Sequence, residues 1–96
     1  MSPKNKKKLN LLRKKLDKLD YDLLKIIKKR SDIVKKVLLL KTRKNEIVDN
    51  KRINQILKKI EKESIKRKID PIITKRIWKN MIWSYIDFEK RNYKKK

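Results

Sequence analysis

One apolar seam constrains this chain more than any other feature. Leu9, Leu12, Leu16, Leu19, Leu23, Ile26, Ile33, Val37 and Leu40 follow one another at alternating intervals of three and four, with Arg30 filling the one remaining place. That alternation is the period of a single helix face. The spacing therefore predicts one helix over about residues 8–43, unbroken by proline. At about 1.5 Å per residue it would be on the order of 50 Å long, more than the width of a small domain. Arg30 puts a permanent cation into a seam that is otherwise aliphatic.

Composition removes most catalytic chemistry. A chain of 96 residues is one domain at most and struggles to build a thick core alone. It contains no cysteine, histidine or glycine. Disulfides, Cys/His metal sites, glycine-rich phosphate loops and His-assisted nucleophiles are all excluded. No apolar run approaches a membrane span, and MSPKNKKK leads into an amphipathic pattern rather than a signal-peptide core. The expectation is a soluble, cytoplasmic protein with no membrane association, no metal and no cofactor.

The net charge of +22 has to be weighed as a nucleic-acid signature. Of the 33 basic residues 26 are lysine, in a chain lacking alanine and glycine and rich in isoleucine and asparagine. A+T-rich codons produce that pattern. Along the sequence the lysines scatter around the helices without interleaved aromatics, so they read as a solvated face and no nucleic-acid partner is expected. The seven arginines are more informative, because where lysine is favoured a retained arginine points to bidentate contact with carboxylate or phosphate.

Two further helices are expected. KNEIVDN interrupts the pattern, with Asn45 as helix terminator and Asp49 as N-cap of a helix over about residues 50–68 bearing Ile53, Ile56, Leu57 and Ile60. Asp70-Pro71 is a restart signal for a third helix over residues 71–92, with the stripe Ile73, Ile77, Trp78, Met81, Ile82 and Tyr85. The fold class is thus all-α, a single domain over 1–96 whose residues 1–7 and 93–96 form frayed basic tails. Glu89 continues the stripe of Trp78, Ile82 and Tyr85, which suggests a half-buried carboxyl.

Arg30 and Lys41 are three turns apart on the expected first helix, on nearly one side and about 16 Å from each other. Between them they could clamp one small dianion. Arg13 lies near the same seam, about 26 Å along the axis from Arg30, beyond the reach of one ligand on one helix. A two-fold axis near residue 24 would pair the helix antiparallel with a second copy and bring Arg13 of that copy level with residue 35. Two readings remain open for Arg30: a ligand cation, or a side chain that snorkels or pairs with Asp32 or an acid of the second chain.

The stretches LLRKKLDKLDYDLLKIIKKRSDIVKKVLLLK, VDNKRINQIL and IDPIITKRIWKNMIWSYIDFE together resemble the all-helical class of chorismate mutases. The likeness covers about residues 9–89. It rests on a leucine-arginine pair, an arginine 17 residues later, a lysine 11 further on, and D-x-x-R at the second helix. It implies an intertwined homodimer of three-helix chains that rearranges chorismate to prephenate without cofactor or metal. It also implies that Arg13 enters the site from the other chain and, like Arg30, binds a substrate carboxylate. Lys41 would reach a carboxylate and the ether oxygen, Asp49 and Arg52 would match D-x-x-R, and Tyr85 would occupy a position often held by a small hydroxyl residue. Glu89 would take the place of a glutamine that donates to the ether oxygen. Ile53 stands where the family often has a glutamate for the ring hydroxyl. WSYIDFE is also similar to isochorismate-pyruvate lyases, which leaves chorismate and isochorismate both open.

The implied chemistry suits the composition. A pericyclic rearrangement needs no nucleophile and no proton transfer, only a dianion held in a chair and stabilisation of charge on the breaking C–O bond.

Overall fold

The structure is a computed structural model that describes residues 1–94. Those residues form three helices and no strand: α1 (Pro3–Leu40), α2 (Asn50–Lys66) and α3 (Pro71–Asn92), with a 3₁₀ turn at Lys44–Glu46 between the first two. The all-α class and the helix order are as the sequence implies. Lys95 and Lys96, part of the tail expected to fray, lie outside the described residues.

Both ends of α1 differ from expectation. It begins at Pro3 rather than near residue 8, because Ser2 caps it: the Ser2 hydroxyl accepts from the Asn5 amide at 3.2 Å and its carbonyl from the Lys6 amide at 2.9 Å. Serine followed by proline is an N-terminal signal in its own right, so residues 3–7 are helical. At the other end α1 stops at Leu40, three residues short of Arg43. Asn45 is therefore not its terminator. The Lys41 amide turns back to the Leu38 carbonyl at 3.1 Å, a tightened last turn, and Lys41 lies off the helix.

Contacts divide the chain into two units, Met1–Ile33 and Val34–Lys96. The first is the greater part of α1. Its seam is uncovered by this chain: Leu16, Leu19 and Ile26 are each about 60% exposed (58%, 61% and 60%).

In the second unit α2 packs against α3. Leu38, Ile47, Ile82 and Ile86 form its core, with Val48, Ile53, Ile56, Leu57 and Tyr93 packed on them. Leu38 is not a seam residue, whereas the seam residues Val37 and Leu40 stay exposed. The end of α1 thus carries two apolar faces, and the core takes the one that the seam does not include. On α3 the expected stripe shifts, because Ile73 and Ile77 are exposed and Thr74, Ile82, Ile86 and Glu89 are buried.

The α2–α3 turn is built without glycine. Lys68 has φ of 58°, the left-handed region where a side chain costs about 1 kcal/mol. Around it the Ile69 amide donates to the Ser64 carbonyl at 2.9 Å and the Lys68 amide to the Ile65 carbonyl at 3.1 Å, the two bonds of a Schellman motif. Beneath the turn the buried hydroxyls of Ser64 and Thr74 lie 2.7 Å apart. The Ser64 hydroxyl also donates to the Ile60 carbonyl at 2.6 Å and the Thr74 hydroxyl to the Pro71 carbonyl at 3.3 Å. At the start of α3, Asp70 accepts from the Ile72 amide at 2.9 Å with Pro71 in the first turn.

Lys68→Gly relieves the left-handed strain and should stabilise the chain by about 1 kcal/mol, raising the thermal midpoint by roughly 4–8 °C. Circular dichroism melts measure this, and an unchanged midpoint would mean that Lys68 bears no such strain.

Candidate active site

The connection between α1 and α2 is held at several points. The Glu46 carboxylate accepts from the Thr42 hydroxyl at 2.9 Å and from the amides of Thr42 and Arg43 at 3.2 and 2.9 Å. Such local bonding offers the backbone an alternative to further helix, which accounts for the early end of α1. The Thr42 hydroxyl, seconded by the two amides and the Arg43 charge, holds the Glu46 carboxyl below its ordinary range against an opposing contribution from desolvation. Because this group is depressed in the folded chain, its contribution is present above the ordinary carboxylate range. It is lost as pH falls through the lowered value.

Two contacts then fasten the connection to the C-terminal end of α3. Lys41 Nζ donates to Glu89 Oε1 at 2.8 Å, and the Tyr93 hydroxyl donates to the Thr42 carbonyl at 2.8 Å. Glu89 and Tyr93 are four residues apart and so share a face of the chain as it leaves the helix. Neighbouring residues of the connection are gripped by neighbouring turns.

Glu89 is buried on the face that carries Ile82 and Ile86, more deeply than the half-burial expected. A carboxylate there is tolerable only with a charged partner. Lys41 supplies it, with side-chain exposures of 18% for the lysine and 8% for the glutamate. An ammonium has three donors. Glu89 engages one, and two are left for a further acceptor. The arrangement is a cation on a fixed mount, suited to binding an anion or polarising an oxygen.

The remaining candidates are placed as follows. Asp49 caps α2, accepting from the Arg52 amide at 3.0 Å, as its sequence position implies; both residues are exposed. Arg52 stands in the first turn, where a cation opposes the helix dipole. Tyr85 is half-buried on α3, one turn before Glu89. Ile53 packs against the core, so this position offers no polar group to a ligand. Arg13 is exposed and Arg30 half-buried, both on the part of α1 in the Met1–Ile33 unit. They are 17 residues apart, about 26 Å along one helix. The structure thus joins Lys41 to Glu89 and Asp49 to Arg52. With Lys41 off α1, the helical register that was to align it with Arg30 does not apply. Sequence reasoning missed Thr42, Glu46 and Tyr93. The i, i+4 step from Glu89 to Tyr93 was a usable signal.

Among the described residues no three His, Cys, Asp or Glu side chains are grouped to hold a metal ion, and no helix is long and apolar enough to cross a membrane.

A family model described as chorismate mutase type II matches residues 12–90. No curated protein and no solved structure matches the chain.

The ion pair makes a double-mutant cycle informative. Lys41→Met leaves a buried carboxylate without its cation, and Glu89→Leu leaves the ammonium without its anion. Each should destabilise the chain by about 3 kcal/mol, whereas the double variant should stand close to the wild type. Urea denaturation gives the coupling energy; additive losses would mean the pair is not formed in solution.

Proposed function

The chain belongs to the type II chorismate mutase family, and on that premise we propose that it rearranges chorismate to prephenate in a homodimer whose sites are shared between two chains. The observation that carries this reading is the Lys41–Glu89 pair at 2.8 Å. It holds a cation at a defined point, partly open to solvent, within the matched region.

The dimer follows from the uncovered seam. Residues 12–26 expose an unbroken line of leucine and isoleucine, and a line of that length calls for cover. A second copy set antiparallel by a two-fold axis covers it with the same residues. Arg13 of the partner subunit then joins Arg30 and Lys41 of the home chain around each substrate. The two guanidiniums take one carboxylate each by bidentate contact. Lys41 spans a carboxylate and the ether oxygen. Asp49 and Arg52 shape the entrance at the start of α2, and Tyr85 bounds the pocket one turn before Glu89.

Catalysis here is electrostatic positioning. The ether C–O bond breaks as the new C–C bond forms, and no proton or electron leaves the substrate. Holding both carboxylates fixes the chair needed for overlap. Lys41 stabilises negative charge as it grows on the ether oxygen, without reorganisation at the moment of reaction. Glu89, in the place of the family's glutamine, acts through its ion pair: as the anion it mounts Lys41 at the ether oxygen.

Incubating the protein separately with chorismate and isochorismate tests the reaction. Prephenate from chorismate is expected. Pyruvate and salicylate from isochorismate alone would assign the lyase reaction instead.

Arg13→Ala and Arg30→Ala should each abolish nearly all activity. Unfolded and refolded together, the two variants form heterodimers with one intact site, and random pairing should return about a quarter of wild-type activity. Verified heterodimers without recovery would remove Arg13 from the shared site.

A further inference from the structure

Lys41 differs from the other candidate cations in where it stands. Arg13 and Arg30 lie on α1 and Arg52 on α2, where the helical backbone fixes the origin of the side chain. Lys41 follows the end of α1 at Leu40, on the connection to α2. Its flexible stem loses much rotamer freedom on being ordered. A lysine so placed defines a point only if its head and its backbone are both held. Glu89 holds the head at 2.8 Å.

The next residue, Thr42, has every polar group engaged. Its amide and hydroxyl donate to Glu46 at 3.2 and 2.9 Å, and its carbonyl accepts from the Tyr93 hydroxyl at 2.8 Å. Burial does not demand this, because Thr42 is exposed and water could serve each group. The Glu46 bonds are internal to the connection, with their donors at Thr42 and Arg43. They shape the turn without tying it to another element. The Tyr93 bond does tie it, to the end of α3.

Tyr93 is suited to that task on two counts. The chain leaves α3 there in an extended conformation, with φ of −63° and ψ of 128°. Its ring packs against the core of Leu38, Ile47, Ile82 and Ile86. A phenylalanine would pack the same ring; only the hydroxyl reaches Thr42. Neighbouring Cα atoms are about 3.8 Å apart, so the grip lies beside the origin of the Lys41 stem. Glu89, four residues before Tyr93, grips its tip. Both ends of Lys41 are thereby referred to one short stretch of chain. Tyr93 lies outside residues 12–90, the part that matches the enzyme family.

We propose that Tyr93 is a positioning residue for Lys41, acting through the Thr42 carbonyl; the inference rests on the chorismate reaction proposed above. With the backbone held, the ammonium meets the breaking C–O bond at one place, and its stabilisation needs no reorganisation. Without the hydroxyl, the Thr42 carbonyl turns to water and Glu89 alone holds the lysine. The arginines still take the substrate carboxylates, so ground-state binding survives while charge stabilisation in the transition state suffers. A misplacement on the order of 1 Å costs up to about 100-fold in rate.

Steady-state kinetics of the full chain and of Tyr93→Phe with chorismate, well below either thermal midpoint, test the proposal. The variant should lower kcat and kcat/KM together by about 10- to 100-fold with KM near the wild-type value, the pattern of an interaction made only in the transition state. A smaller folded fraction would give the same pattern, so Tyr93→Phe is also placed in the Lys41→Met, Glu89→Leu background. With the lysine gone, single-turnover rates should fall by less than about twofold further, because coupled residues do not add. Should that background be silent, the nitrogen resonance of the Lys41 ammonium in isotope-labelled protein decides. It is assigned by its absence from the same background, and Tyr93→Phe should shift or broaden it. An active wild type with kcat unchanged in Tyr93→Phe would overturn the proposal and leave the reaction standing. Losses that multiply in the background lacking Lys41, or a Lys41 resonance indifferent to Tyr93→Phe, would overturn it equally. A wild type that consumes no chorismate would remove the reaction itself, and the proposal with it.

Discussion

A carboxylate on the apolar face of α3 has to be neutralised, and much of the second unit is arranged around that requirement. Glu89 lies with Ile82 and Ile86 in the interior, where an unpaired charge would cost several kcal/mol. The cation comes from Lys41, which is available only because α1 ends at Leu40. Helix termination follows from the local competition of Thr42 and Glu46 for backbone donors. Tyr93 then ties the same connection to the end of α3 through the Thr42 carbonyl. Loosening any of these contacts would free a charge that the core cannot hold alone.

The same contact links stability to chemistry. A buried ion pair is a poor stabiliser when an apolar pair would serve, so its presence in a core this small points to use. Lys41 keeps donors to spare and remains partly open, whereas Glu89 is enclosed. The pair is thus asymmetric, its cation partly reachable from solvent and its anion shielded. A chain without histidine or cysteine has few other routes to rate enhancement, and membership of the type II chorismate mutase family agrees with that economy.

Helix α1 separates two kinds of apolar residue by angle. The seam is apolar and uncovered by its own chain, whereas Leu38 turns into the core. A helix presents all sides at once, so one element can carry an exposed apolar seam and an anchor in the core without conflict.

Periodicity, caps and breaks were legible in the sequence because they depend on neighbours a few residues away. The three-four alternation of α1, the Asp49 and Asp70 caps, the Pro71 restart and the choice of an all-helical family all rest on such local signals. The Ser2-Pro3 start was equally local and was overlooked. Other features needed the folded chain. That α1 stops at Leu40 depends on Glu46 reaching back to Thr42 and Arg43, a competition between two local structures that periodicity does not weigh. That Leu38 rather than the seam enters the core, that Glu89 is buried and that Tyr93 is anchored depend on residues about 50 positions apart being brought together. Sequence determined which faces are apolar and which are charged, since helical geometry maps spacing onto angle. Tertiary structure decided which apolar face is covered and which charge finds a partner, since those outcomes depend on where distant segments meet.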